Sequence, residues 1–250
     1  MTPEMTQMVL RTLLGVVVLL AVALLVLRAA GVPHRADTAI AVLRGAVQLA
    51  VISVVLTGVI ADLRWVLVAL AVMFTVAVVT STRRVSWTVQ RLGIVAASMA
   101  AGVAVTLSTV FATGALDLTP RYVLAIGGIV IGGAMSVATL AGRRLAQATA
   151  DRWDEVEAWL ALGATPREAT ADIGRFAIRE ALIPSTDQTR TTGLVTLPGA
   201  FVGAIFGGIV PIEAGRFQIV VLAGIIAAGA VTATLLVHVL APRMERLGTG

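Results

Sequence analysis

Seven long apolar runs follow one another along the chain, separated by polar connectors. They cover residues 9–27, 45–61, 65–81, 92–112, 122–141, 194–210 and 217–240. A helix of about 20 apolar residues crosses the hydrocarbon layer of a membrane and satisfies its own backbone hydrogen bonds. The pattern therefore predicts an all-α integral membrane protein with about seven transmembrane helices. These helices are expected to form a single transmembrane domain over residues 1–250.

The first run has an alternative interpretation as a secretory signal, because small residues follow its apolar core at positions 29–31. The residues before Arg11 are not basic, however, and a signal normally begins with a basic stretch. This favours a retained first span.

Composition narrows the class further. The chain is 58% hydrophobic, contains no cysteine and carries a formal net charge of +5. All 19 basic residues are arginine, so the lysine of a phosphate-binding P-loop is absent. If ATP drives this protein, a separate chain is expected to hydrolyse it. The arginines cluster at the ends of apolar runs, which is typical of membrane orientation and does not indicate nucleic-acid binding.

The arginines also predict an orientation, because positively charged connectors stay in the cytoplasm. One side of the seven-span arrangement has only Arg11, Arg64, Arg121 and Arg216. The other side has Arg28, Arg35, Arg44, Arg83, Arg84, Arg91, those from Arg143 to Arg190, Arg243 and Arg246. The protein is therefore expected in the cell (plasma) membrane, with its N-terminus outside the cell and its C-terminus in the cytoplasm.

The longest charged segment, residues 151–199, follows the fifth run. Its first part alternates apolar and acidic residues at helical spacing, with Trp153, Val156 and Trp159 on one face. Gly163 suits the end of that helix. The order Thr165, Pro166, Glu168 then predicts an N-cap, a first-turn proline and a capping box.

A second helix is expected from residue 166 to about 182, where Pro184 would end or kink it. The sequence thus predicts a helix-turn-helix within a cytoplasmic segment, residues 143–192. Two interpretations stay open from spacing alone. The segment docks on another protein, or it lies on the lipid headgroups as an amphipathic pair.

Residues 157–163 (EAWLALG) resemble the E-A-A-x-x-x-G motif of ATP-binding cassette (ABC) transporter permeases. Further blocks resemble the FetB-type family of bacterial iron-export permeases, which has plant relatives in aluminium tolerance. They are LALGATPREA at 160–169, IREALIPST at 178–186, TGLVTLPGAFVG at 192–203, PIEAGRFQIV at 211–220, RGAVQL at 44–49 and GIVIGGAM at 128–135.

The resemblance implies a homodimer of this chain with two cytoplasmic ABC ATP-binding subunits, which would bind ATP and Mg. The chain itself would hold no cofactor and have no enzyme site. The expected contacts with the ATPase are Glu157, Ala158, Leu162, Gly163, Ala164, Thr165 and Pro166. Residues expected to transmit the motion to the next span are Pro184, Asp187 and Arg190, although Asp187 and Arg190 are also spaced to pair with each other.

The chain departs from the family pattern near the expected pathway. Gly133 replaces the family's usual Asn, Ala200 and Phe201 replace a Met pair, and Val202 replaces a frequent Ser or Thr. Each change removes a polar or sulfur group. The departures leave the ATPase-facing motif intact and concern the part of the chain that would contact the cargo.

Candidate pathway residues are few, and each has a structural alternative. Gln48 is a buried amide expected inside the second span, and Met135 offers a thioether, although each also serves helix packing. Pro198, Gly199 and Gly203 predict either a broken sixth span or a close-packing seam. Gln218 lies near the outer mouth with Glu213 and Arg216, as an interfacial cluster or as ligands.

The chain has no cysteine, and its two histidines, His34 and His238, are far apart in sequence. The sequence therefore does not predict a tight transition-metal site. Metal export therefore requires weak ligands or a chelated metal. The alternatives are an ABC exporter of another small solute and an ATP-independent carrier or scaffold. A cation-coupled carrier normally has acidic residues within its spans, and here they lie at span ends or in connectors.

Overall fold

The computed structural model describes residues 3–33, 36–59 and 62–243. The chain divides into two units, Met1–Val59 and Ile60–Gly250. In the first unit, helices α1 (Pro3–Ala29) and α2 (Ala36–Val59) pack on each other. No residue of their spanning windows is buried within that unit, so their apolar surfaces need lipid or another protein surface.

The second unit contains eight further α-helices within the described residues. They are α3 (Leu63–Val85), α4 (Val89–Ala112), α5 (Pro120–Asp151), α6 (Trp153–Ala161), α7 (Pro166–Ala169), α8 (Ala171–Thr191), α9 (Gly199–Phe206) and α10 (Pro211–Leu240). Side chains of Asp62, Thr88 and Thr119 cap α3, α4 and α5 by accepting hydrogen bonds from first-turn amides. These caps fix where each helix enters the bundle.

Helices α4, α5 and α10 form the packed centre of this unit together with α3. Small residues allow the close approach. A β-carbon built on Gly102 of α4 would lie 2.5 Å from the Ala228 carbonyl oxygen of α10. One built on Gly142 of α5 would lie 2.7 Å from Val85 of α3. The core is therefore a seam of small residues, as in other membrane helix bundles.

Arginines mark two levels along this bundle. The Nε of Arg143 donates to the carbonyl oxygen of Arg84 over 3.0 Å, which places Arg143 of α5 level with the C-terminal end of α3. Arg64 and Arg121 lie at the opposite ends of the same helices. The 20 residues from Arg64 to Arg84 extend about 30 Å at 1.5 Å per residue. This length matches the hydrocarbon core of a bilayer, about 30 Å.

Helix α8 lies alongside α5 and α10 and runs antiparallel to both. A β-carbon built on Gly174 would lie 3.0 Å from Val237, near the C-terminal end of α10. One built on Gly229 would contact both Leu182 of α8 and Val137 of α5, at 3.2 and 3.1 Å. Leu182 therefore lies about 9 Å inside the level of Arg143, because Val137 precedes Arg143 by six residues.

Six helices of the described residues are long and apolar enough to cross a membrane, one fewer than the sequence predicted. The missing span is the expected sixth, residues 194–210. Here α9 has eight residues, a length of about 12 Å. It starts after Pro198 and ends at Gly207, and Gly208 then adopts a φ of +90°. The proline and the glycines thus replace one long helix with a short one.

The second helix of the charged segment also differs from prediction. A break at Thr170 separates α7 from α8, and α8 continues through Pro184 to Thr191 instead of ending near residue 182. Proline removes one hydrogen bond from a helix. The packing of α8 on α5 and α10 keeps the helix continuous across that defect.

Candidate functional site

The charged segment begins with helix α6, which a turn separates from the four-residue helix α7. Asp154 and Glu155 lie in the first turn of α6, where carboxylates stabilise the positive end of the helix dipole. Glu155 also pairs with Arg152 at 2.7 Å. The indole Nε1 of Trp153 donates to Glu157 over 2.7 Å, which holds Glu157 along the exposed side of α6.

The turn after α6 is fixed by backbone hydrogen bonds. Gly163 has a φ of +91°, as predicted for the residue that ends the helix. Its N–H donates to the Leu160 carbonyl oxygen, and the N–H of Ala164 donates to that of Trp159, both over 3.0 Å. This pair of bonds is a Schellman motif, which satisfies carbonyls that the helix end leaves open.

The capping box at the start of α7 is confirmed. The Glu168 N–H donates to the Thr165 hydroxyl oxygen over 3.3 Å, and the Thr165 N–H donates to the Glu168 carboxylate over 2.8 Å. Pro166 occupies the first helical position. Two hydrogen bonds from Thr165 hold the pKa of Glu168 below its ordinary value of 4.5. The bond from the backbone N–H has the larger effect, and the bond from the hydroxyl has the smaller one.

We expect this cap to weaken in acid. A lowered pKa means that the Glu168 carboxylate stabilises the turn fully above about pH 4.5, and that this stabilisation is lost as pH falls through the lowered pKa. Hydrogen exchange at the amides of residues 165–170, corrected for intrinsic pH dependence, measures the effect. Glu168→Gln should remove the extra acid sensitivity and Asp154→Asn should keep it. Equal acid sensitivity in Glu168→Gln would show that the cap is not its source.

The turn presents apolar side chains that the described residues leave exposed. We call Trp159, Leu162, Gly163 and Ala164 the turn surface. Leu162 is 81% exposed and Trp159 is 49% exposed. A cleft of about 490 Å³ lies beside them, closed by Asp172 and Arg175 from the start of α8. An exposed apolar cluster next to a charged rim is typical of a protein contact.

A contact that the sequence did not predict connects the turn to α10. The guanidinium of Arg167 on α7 contacts the imidazole of His238 near the end of α10. A pocket of about 210 Å³ lies beside this contact, between α7, α8 and α10. The two residues are 71 positions apart, and no periodicity or motif in the sequence connects them.

The three predicted transmission residues all lie on α8 beyond its midpoint. Pro184 is exposed within the helix, and Asp187 and Arg190 pair with each other at 3.5 Å. Both partners of that pair are more than half exposed. The ion pair was one of the two alternatives that the sequence left open for these residues.

The predicted pathway residues do not come together in one site. Gln48 is exposed within the first unit, on α2. Met135 is half-buried on α5, and its carbonyl oxygen accepts a bond from the Thr139 hydroxyl. Gln218 on α10 is 5% exposed, and its Oε1 lacks a hydrogen-bond partner among the described residues.

Pro198 and Gly199 begin α9. β-Carbons built on Gly199 and Gly203 would meet nothing within 4 Å among the described residues. A packing seam at these glycines would therefore need a partner outside the described part of the chain. At Gly133, where the family pattern has Asn, a β-carbon would lie 3.2 Å from Ile225, so α10 packs closely there.

The described residues contain no group of three or more His, Asp or Glu side chains arranged to hold a metal ion. His34, Arg35 and Arg246 lie outside the described residues. The candidate site is therefore an exposed apolar turn joined to a helix that reaches the middle of the bundle.

Comparison with known proteins gives a consistent family. The model of the uncharacterised protein family UPF0014 matches residues 10–244. A rice relative, "UPF0014 membrane protein STAR2", is 38% identical over 197 residues, 78% of this chain and 69% of its own length. YjkA of Bacillus subtilis, also a UPF0014 membrane protein, is 34% identical over 80% of this chain and 81% of its own.

Another relative, the "Probable iron export permease protein FetB" of Escherichia coli, is 39% identical over 120 residues. That alignment covers 48% of this chain and 46% of the relative, so it spans about half of either protein. No solved structure is significantly similar to the chain.

Proposed function

We propose that this chain, which belongs to the UPF0014 family of membrane proteins, is the membrane-spanning permease subunit of an ABC transporter. A separate cytoplasmic subunit would bind ATP and Mg and supply the energy. The cargo would be iron or another metal ion, moved out of the cell. The name of the Escherichia coli relative supports this cargo, and the sequence motif at residues 157–163 supports the coupling to an ATPase.

The observation that carries the proposal is the turn surface. Leu162 extends into solvent at 81% exposure from a turn fixed by a Schellman motif on one side and a capping box on the other. A rigid apolar projection transmits displacement between two proteins, whereas a flexible loop absorbs it. The ATPase contact would use Glu157, Ala158, Leu162, Gly163, Ala164, Thr165 and Pro166.

We further propose that α8 and α9 together complete a seventh crossing. Leu182 is level with Val137 and Gly229 in the bundle, and α8 continues for nine residues beyond it. The cytoplasmic part of the charged segment would then end near Gly174. An odd number of crossings of the cell membrane places the N-terminus outside and the C-terminus in the cytoplasm. The arginine distribution favours this orientation.

The transporter would be a homodimer of this chain with two ATPase subunits. Asp187, Arg190 and Pro184 on α8 would carry the motion from the turn surface toward α9. Helix α8 would be the first connection between the turn and the bundle. The contact of Arg167 with His238 on α10 would be the second.

A second candidate is export of a different small solute by the same machinery. Two observations favour it. No metal-ligand cluster exists among the described residues, and Gly133, Ala200, Phe201 and Val202 lack the polar or sulfur groups of the family pattern.

The experiment that tests the proposal has two readouts. The chain should co-purify from membranes with a separately encoded ABC ATP-binding subunit, and deletion of the chain should raise intracellular iron. Failure to bind any such subunit would reject the ABC assignment. Binding with an unchanged content of iron and other metals would favour the second candidate.

A further inference from the structure

One face of α8 bears a stripe of charged and polar side chains that no other element of the second unit covers. Along the helix it includes Asp172, Arg175, Arg179, Thr186, Asp187 and Arg190, with Thr186 half-exposed and the others exposed. Two apolar side chains, Phe176 and Ile183, are exposed on the same face. The opposite face, with Ile173, Gly174, Ala177 and Ala181, is buried against the bundle. The stripe is therefore an organised feature of an amphipathic helix.

The depth of the stripe can be read from the bundle. Arg190 lies eight residues beyond Leu182, which is about 12 Å along the helix. Leu182 is itself level with Val137 of α5. Arg190 is consequently level with residue 129 of α5, between the arginines at 121 and 143 that mark the two ends of the hydrocarbon layer. The Asp187–Arg190 pair therefore lies within the thickness of the membrane.

Lipid is a poor environment for such a stripe. A charged side chain at the centre of a helix in the hydrocarbon layer costs about 2.5–3.5 kcal/mol on translocon insertion scales. Such residues normally face the bundle interior or a water-filled cavity. Within this unit the stripe faces away from α5 and α10, so it is covered by water or by a protein surface outside the unit. The mainly apolar helices α1 and α2 would satisfy its charges no better than lipid does.

Direct contact with a second copy is also unfavourable. A two-fold axis along the membrane normal would place each residue opposite its own equivalent at the same depth. Arg179 would face Arg179, and like charges in close contact repel. The two stripes can face one another only across a gap that holds water.

We infer that α8 lines an aqueous route between two copies of this chain, and that its charged stripe forms the polar wall of that route. The wall suits a hydrated or charged solute. Arg175 pairs with Asp172 and Arg190 pairs with Asp187, whereas Arg179 makes no ion pair with another described residue. Its guanidinium is therefore available to an anionic group of the passing solute, such as a carboxylate that chelates a metal.

Cysteine accessibility tests this inference directly, because the native chain has no cysteine. Thr186→Cys and Arg190→Cys place thiols on the stripe. The matched controls are Val76→Cys and Val72→Cys on the exposed side of α3. Gly127 of α5 meets Leu70 of α3, and Gly142 meets Val85, so residues of α3 lie level with residues 57 positions later on α5. Val72 and Val76 are therefore level with residues 129 and 133 of α5, the same depths as Arg190 and Thr186.

Each variant is labelled in native membranes with a charged, membrane-impermeant thiosulfonate, which reacts with the thiolate that forms in water. Both stripe positions should label at least tenfold faster than their controls. Equal rates for each pair, or protection of both stripe positions, would overturn the inference. Thr186→Cys removes no charge, so it remains informative if Arg190→Cys reduces the amount of protein in the membrane.

The route rests on the proposed transport function, but labelling requires neither ATP nor the ATPase. If the stripe is protected while the ATPase co-purifies, the route is wrong and the ABC assignment stands. If the stripe labels while no ATPase binds, α8 lines water in a transporter of another class.

Discussion

Replacing Leu162 by Asp should separate the chain from the proposed ATPase subunit while leaving the membrane protein folded. Leu162 is 81% exposed, so its side chain contributes little to packing within the chain. Burial of a leucine in a partner contributes about 1.5–3 kcal/mol, and each 1.4 kcal/mol is about tenfold in affinity. Co-purification of the ATPase should therefore fall by at least about tenfold, since a buried unpaired carboxylate adds its own cost.

The matched control is Leu118→Asp, on the turn before α5 at the other end of the bundle. Leu118 is also largely exposed, at 67%. This variant should bind the ATPase as the native chain does. If Leu162→Asp retained full binding, or if both variants lost it together, the turn surface would not be the docking site.

The largest effect on stability is expected from Gly102→Ala in α4. The new β-carbon would lie 2.3 Å from the Thr232 hydroxyl and 2.5 Å from the Ala228 carbonyl oxygen. The second of these is backbone, which cannot rotate away, so α4 and α10 must separate. Overpacking of a core costs about 1–3 kcal/mol, and we expect a value near the upper end. Thermal unfolding in detergent measures it.

The control for this substitution lies in the same helix. A β-carbon on Gly93 would meet nothing within 4 Å of the described residues. Gly93→Ala should be neutral or stabilise α4 by up to about 1 kcal/mol, because alanine favours the helix. A Gly102→Ala protein that unfolds at the temperature of Gly93→Ala would mean that α4 and α10 are not in close contact.

Local patterns predicted the turn well because its determinants are close together in sequence. Gly163, Thr165, Pro166 and Glu168 act within six residues, and each adopts the expected role. The apolar runs likewise became helices wherever no proline or glycine cluster interrupted them. The helix ends were less predictable, since α5 extends ten residues past its apolar run to Asp151.

Helix α8 shows what average hydropathy misses. Its charged stripe lowers the mean apolarity, so the segment reads as a cytoplasmic connector even though its other face packs deep in the bundle. Pro184 reinforced that reading, because proline usually ends a helix. Only tertiary contacts, such as Leu182 with Gly229 and Arg167 with His238, reveal where the helix lies.

The buried face of α8 has a mechanical consequence. Between Ile173 and Leu182, which both pack into the bundle, its buried positions are Gly174, Ala177 and Ala181, and these form a strip of small residues. Large side chains interlock, and sliding one helix past another then requires many of them to change rotamer. A strip of glycine and alanine has few such ridges. Helix α8 is therefore suited to small sliding movements along its own axis. The turn surface lies at one end of this helix and α9 at the other.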